Sequence, residues 1–153
     1  MDIHHAMMVR ARPARVYAAL TQARDLQIWM GAPTTGAAVV DSDLEFQFDQ
    51  GRRILKFRVT RLEPEQLVAW LVLQPAWPKV DVRQNITWSL SPFEDSTLVD
   101  LRMTGWPDDD DVYASVSYKW ASFMMRLKIF LGDTREIEHF PPVQVVARPA
   151  ARM

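Results

Sequence analysis

The sequence predicts an α+β domain in which a curved antiparallel sheet of about six or seven strands closes over a long C-terminal helix around an apolar pocket. Between Leu44 and Met103 short runs alternate apolar and polar side chains, the period of strands with one wet face. After them Val112, Val116, Trp120, Phe123, Leu127 and Phe130 recur at steps of three and four, a broad helical stripe that must be buried. Consecutive strands joined by short turns, with the long helix last, argue for an antiparallel meander and against alternating βαβ units.

Composition sets the frame. A chain of 153 residues buries roughly 70% of its unfolded surface, enough for one sizeable core. With 48% hydrophobic and 24% charged residues, it reads as globular, not disordered. Six Trp, seven Phe and eight Met exceed ordinary usage, and such bulky or adaptable side chains suit a core or the wall of an apolar site. The net charge of −1 gives no overall footprint for nucleic acid or an anionic membrane. Cysteine is absent, which removes disulfides, thiolate nucleophiles and Cys-based metal sites. The opening Met1-Asp2-Ile3-His4-His5 is unlike a secretory signal, and no run reaches the ~18 apolar residues of a membrane helix, so a cytoplasmic protein without membrane insertion is expected. Arginine outnumbers lysine 14 to 4, a bias of GC-rich bacterial coding.

The elements follow in order. Ile3, His5, Met7 and Val9 share one face of a first strand. Pro13 opens a helix carrying Val16, Tyr17 and Leu20, because a first-turn proline loses no hydrogen bond. Arg24 to Trp29 form a second short helix stopped by Gly31 and Pro33. From Ala37 the period becomes two: Leu44, Phe46 and Phe48, then a Gln50-Gly51 turn, then Leu55, Phe57 and Val59. Leu67 to Gln74 is an apolar run, Pro75–Pro78 a loop, and the rows Ile86, Trp88, Leu90 and Val99, Leu101, Met103 flank a turn at Pro92–Ser96. Gly132 closes the long helix, Lys119, Arg126 and Lys128 lie off its stripe, and residues 141–153 form a flexible tail after a domain of residues 1–140.

The stretch Val9-Arg10-Ala11-Arg12-Pro13-Ala14-Arg15-Val16-Tyr17-Ala18-Ala19-Leu20-Thr21 resembles the opening of the START-like (SRPBCC) superfamily, in the branch named after activators of the heat-shock protein 90 ATPase. Leu26 to Trp29, Ser91-Pro92 to Thr97-Leu98, and Gly105-Trp106 with Tyr118-Lys119-Trp120 to Leu127-Lys128 resemble its later features in the same order. The resemblance runs from Ile3 to Gly132 and implies a helix-grip fold, like that of the birch-pollen allergens. The four aspartates Asp108 to Asp111 and the tail from Asp133 depart from the pattern. The fold hosts lipid carriers, receptors, cyclases and co-chaperone modules, so function has to be read from the site.

Catalytic and metal constellations are sparse. His4 and His5 point to opposite faces of a strand, and His139 stands apart in the proline-rich end, so no metal site and no cofactor are expected. His5 reads as a core or edge histidine before it reads as a pocket residue. Asp108 to Asp111 read as a helix cap and macrodipole complement, not as a cation site. Arg52, Arg53, Arg58 and Arg61 read as a solvated strand face. Gln84 and Tyr113 are polar groups set among apolar neighbours, where each bonds to backbone or awaits a ligand. With Phe46, Phe48, Phe57, Trp70, Trp88, Met103, Trp106, Trp120 and Met124 they make the candidate ligand wall. The function expected is binding of a small apolar, aromatic or lipid-like molecule between sheet and helix, without chemistry. The alternatives are a cyclase- or hydrolase-like enzyme using Gln84, Tyr113 or His5, and a co-chaperone-like interaction module using Arg52, Arg53 and Arg58. The partner expected is a small hydrophobic molecule and not a nucleic acid, with homodimer formation left open.

Overall fold

The computed structural model describes residues 1–36, 38–73, 83–108 and 110–133. Its elements are β1 (Ile3–Val9), α1 (Pro13–Thr21), α2 (Ala23–Met30), β2 (Thr34–Gly36), β3 (Asp43–Phe48), β4 (Arg53–Glu63), β5 (Leu67–Val72), β6 (Asn85–Phe93), β7 (Ser96–Thr104) and α3 (Asp111–Phe130). The strands form one seven-stranded antiparallel sheet in the order β1-β7-β6-β5-β4-β3-β2. The α+β class, the meander and the long terminal helix are thus as the residue pattern predicts. Because β1 and β2 occupy opposite edges, α1 and α2 must carry the chain across the sheet, and α1 packs over β5, β6 and β7 on the way.

Local chemistry explains the boundaries. Pro13 takes the first turn of α1, and Gly31 ends α2 in the left-handed region at φ 74°. Asp110 caps α3 by accepting the Tyr113 N–H at 3.0 Å, which bears out the capping role of the acidic run. At the other end the Gly132 and Asp133 N–H groups return to the carbonyls of Ile129 and Lys128 at 2.8 and 3.0 Å. The eleven-residue β4 shifts register against β5 between Val59 and Arg61, and such a bulge adds the bend that wraps a sheet around a helix.

Three details differ from expectation. β2 was not foreseen, because Thr34-Thr35-Gly36 is too short to show alternation, yet it pairs with Phe46, Glu45 and Leu44. The β6–β7 turn is tighter than Pro92–Ser96: Pro92 pairs with Thr97, and only Glu94 and Asp95 lie between the strands. Pairing of β6 with β5 ends at Ser89, so the missing N–H of Pro92 deprives no neighbour on that side. Lys128 is 2% exposed, not off the buried face, since its ammonium reaches the Met8 carbonyl at 2.8 Å. The Pro75–Pro78 loop and the tail of residues 141–153 lie outside the described residues.

The inner face of the sheet presents Leu44, Phe46, Leu55, Phe57, Trp70, Ile86, Trp88, Val99, Leu101 and Met103 to Val116, Trp120, Phe123, Met124 and Leu127 of α3. The core therefore sits under the inner flank of α3.

Candidate functional site

Eight of the eleven candidate wall residues, Phe46, Phe57, Trp70, Trp88, Met103, Trp106, Trp120 and Met124, are buried in the core. Phe57 stacks on Trp70 at 5.3 Å between ring centroids, Trp70 meets Trp88 at 5.9 Å, and Trp88 meets Trp120 at 6.2 Å. The indole N–H groups of Trp70, Trp88 and Trp120 are buried with no hydrogen-bond acceptor among the described residues. An unmet buried donor costs about 1–3 kcal/mol, so three in one aromatic cluster are an unusual demand on a core.

Trp106 and the other three lie toward its edge. Trp106 meets Tyr113 edge to face at 5.8 Å, the Tyr113 hydroxyl donates to the Asp2 carbonyl at 2.7 Å, and the terminal amine donates to the Trp106 carbonyl at 3.3 Å. The Tyr113 hydroxyl and the Trp106 backbone thus hold the first residues beside the start of α3. Gln84 is 1% exposed at the entry to β6, where its backbone carbonyl accepts the Val72 N–H at 2.9 Å. Phe48 is half-buried at the end of β3 and faces Phe123 at 6.2 Å.

A cleft of about 710 Å³ opens beside this cluster, along the flank of α3. Its apolar wall is Val112, Val116 and Phe123, its hydroxyls belong to Ser115, Tyr118 and Ser122, and its charges to Arg53, Lys119, Arg126 and Asp111. The candidate wall residues stand behind or beside this described lining, not in it. The missed signal is a second stripe on α3: Val112, Ser115, Lys119, Ser122 and Arg126 also recur at steps of three and four. Because that stripe is polar and small, it reads in the sequence as an exposed face.

Arg53 also departs from expectation. It pairs with Phe48 across β3 and β4 and shares its side of the strand with Leu55 and Phe57, so it is exposed on the face toward α3 and not on the outer face. Lys119 sits 6.0 Å from the Phe48 ring centroid. Its pKa is pulled below the usual 10.5, first by partial burial and then by the positive charge of Arg53. Among the described residues neither Arg53 nor Lys119 has an acidic partner, whereas Asp43 takes Arg58 at 3.0 Å and Asp25 takes Arg15 at 3.0 Å. Arg126 closes the far end, its Nε donating to the Trp29 carbonyl at 2.6 Å.

The histidines are engaged elsewhere. His4 Nε2 lies 2.8 Å from Asp100 Oδ2, and His5 Nε2 lies 3.1 Å from the Ser117 carbonyl and 3.2 Å from its Oγ. No described carboxylate orients His5, and Ser117 is outside the cleft lining, so the pair lacks the third group of an activated nucleophile. Among the described residues no cluster of His, Asp and Glu is placed to hold a metal, and no helix is long and apolar enough to cross a membrane.

With this geometry in hand, the chain can be set beside known proteins. The family described as "Activator of Hsp90 ATPase homolog 1-like protein" matches residues 10–132. The solution structure of the Aha1 dimer from Colwellia psychrerythraea is similar at 31% identity and TM-score 0.77, over 86% of this chain and 96% of that one. A protein from Mesorhizobium loti is similar at 22% identity and TM-score 0.77, over 88% of this chain and 98% of that one. An Hsp90 activator from Plasmodium falciparum shares the fold at 16% identity and TM-score 0.71, over 86% of this chain and 96% of that one. No curated protein matches the chain significantly.

Proposed function

The chain belongs to the activator of Hsp90 ATPase homolog 1-like family, and from that premise we propose that it binds a small apolar or aromatic molecule between the sheet and α3. The cleft of about 710 Å³ carries this reading. Small-molecule sites occupy ~300–1,000 Å³ and combine an apolar wall with a few polar anchors. Val112, Val116 and Phe123 supply such a wall, and Ser115 and Ser122 supply hydroxyls. No reaction is assigned, since among the described residues no hydrogen bond joins the Lys119 amine to Ser115 or Ser122, and Ser122 Oγ donates to the Tyr118 carbonyl instead.

A neutral naphthalene dye titrated into wild type and into Ser115→Trp tests the reading. Ser115 is exposed on α3, so the added indole fills the cleft without entering the core. Saturable binding to wild type and its loss in the variant is the expected result. Equally negligible binding to both proteins overturns it.

A second reading follows the relatives: the Plasmodium neighbour is an Hsp90 activator, and a co-chaperone-like module would dock through a charged surface. On the outer sheet face Asp43 already engages Arg58 at 3.0 Å and Lys56 at 3.9 Å, which leaves that face less basic than its sequence. Salt-sensitive acceleration of a bacterial Hsp90 ATPase by the purified protein is its test. An unchanged ATPase rate across protein concentrations removes it.

A further inference from the structure

We propose that the cleft selects an apolar anion, its hydrocarbon or aromatic body lying on Val116 and Phe123 and its carboxylate or phosphate held between Arg53 and Lys119. The inference rests on the ligand-binding reading above and adds the charge of the ligand.

Two elements distant in sequence bring their cations to one space. Arg53 begins β4 on the side facing α3, opposite Phe48, and Lys119 stands on α3 between Ser115 and Ser122, all three lining the same cleft with Arg53. Two small side chains leave the space open where larger ones would close it, one turn to either side of Lys119: Ser115 offers a hydroxyl donor, while Ser122 Oγ donates to the Tyr118 carbonyl at 3.1 Å. The described lining holds a single carboxylate, Asp111, in the first turn of α3, where it complements the helix dipole.

Elsewhere this fold neutralises converging cations. Asp43 serves Lys56 and Arg58, and Asp25 serves Arg15 and Arg24. Arg53 and Lys119 converge with no described acid between them. Like charges so placed repel in the empty protein, and an entering anion turns that repulsion into two attractions. An arginine fork beside a lysine point charge suits a planar carboxylate or a phosphate equally. The body beyond the headgroup meets Val116 and Phe123, with Phe48 behind Phe123, so a purely polar anion leaves the apolar wall unused.

Three probes of one chain length, dodecanoate, dodecyl phosphate and dodecanol, separate charge from apolar body when each, below its micelle concentration, displaces the neutral naphthalene dye. Both anions are expected to compete about tenfold better than the alcohol, the scale of one charge-assisted hydrogen bond. Arg53→Met and Lys119→Met, which keep the apolar stems, are each expected to abolish most of that advantage while leaving dodecanol within about twofold. Arg24→Met, the same charge change on the exposed start of α2, is expected to leave all three probes unaltered. A tighter dodecanoate identifies a fatty-acid-like carboxylate and a tighter dodecyl phosphate a lipid-like phosphate, and either supports the proposal. If the dye and dodecanol bind but the anions gain nothing, or if Arg53→Met and Lys119→Met leave the anions untouched, the charge inference fails and the ligand-binding reading stands. If neither dye nor any probe binds, both fail together.

Discussion

Lys128 and Asp133 form a buried ion pair, Nζ to Oδ2 at 3.9 Å, that ties the last helix to the end of the first strand. The same ammonium donates to the Met8 carbonyl at 2.8 Å, and the same carboxylate accepts the Arg10 N–H at 2.8 Å. Side-chain exposure of 3% and 1% means that neither charge can fall back on water. Asp133→Ala is therefore expected to cost about 1–3 kcal/mol, because it removes the acceptor of the Arg10 N–H and the carboxylate beside a buried ammonium. Adding Lys128→Met is expected to recover part of the loss. Urea unfolding checks both, and a wild-type midpoint for Asp133→Ala would show that the clasp carries no energy.

Two tryptophans offer a controlled contrast. Trp29 donates its indole N–H to the Ala19 carbonyl at 2.8 Å, whereas the buried N–H of Trp120 has no acceptor among the described residues. Both rings are 1% exposed or less, so Trp→Phe removes similar volume at each site. Trp29→Phe also orphans a carbonyl, while Trp120→Phe deletes an unmet donor. Trp29→Phe is expected to be the more destabilising by about 1 kcal/mol. Thermal unfolding of the two variants side by side decides it, and the reverse order would place an acceptor on Trp120. Trp120→Ala, by comparison, would report on the core, at about 3–5 kcal/mol, before it reported on any ligand.

This contrast shows where the sequence was legible. The alternation of Leu44, Phe46, Leu55, Phe57 and the later strands fixes which side chains face inward, since a period of two admits one burial pattern. The stripe through Val116, Trp120, Phe123 and Leu127 likewise has one way to be buried. The cleft was not legible, for a different reason in each part. Ser115, Lys119, Ser122 and Arg126 have the composition of a wet helix face, and only the position of β4 turns that face into a wall. Arg53 sits in a basic run whose members alternate sides, so its direction follows from register with Phe48 and not from composition. Lys128 and Asp133 are joined through backbone groups of Met8 and Arg10, which leave no trace in residue type.

At the end of α2, Gly31 makes room for a helix-to-helix bond. It adopts φ +74°, and a Cβ there would lie 2.6 Å from Arg126 Nη2, while Arg126 Nε holds the Trp29 carbonyl at 2.6 Å. Gly31→Ala meets two penalties, a left-handed backbone of about 1–2 kcal/mol and displacement of the guanidinium. Arg126→Met removes only the second. In a double-mutant cycle Gly31→Ala is expected to cost less in the Arg126→Met background than in wild type, with a coupling of at least about 0.5 kcal/mol. Simple additivity would mean that the arginine moves aside freely.

Lys119 links the cleft to stability through its proton. Its pKa lies below 10.5, from partial burial first and the Arg53 charge second, so between that lowered value and 10.5 the unfolded chain holds a proton that the folded chain has released. Stability from this residue therefore rises as pH climbs through the window, and the penalty on the charged form is present in full below it. Lys119→Met removes both penalty and pH slope, and at neutral pH it is expected to be at least as stable as wild type, within about 0.5 kcal/mol. The same substitution should weaken anion binding, so the residue trades stability for recognition. Dodecanoate in the cleft should move the amine back toward or above its ordinary value, because a nearby negative charge favours the protonated form. NMR titration of the Lys119 side chain with and without dodecanoate measures this. A free-protein value at or above 10.5 would mean that the amine neither loses water nor feels Arg53.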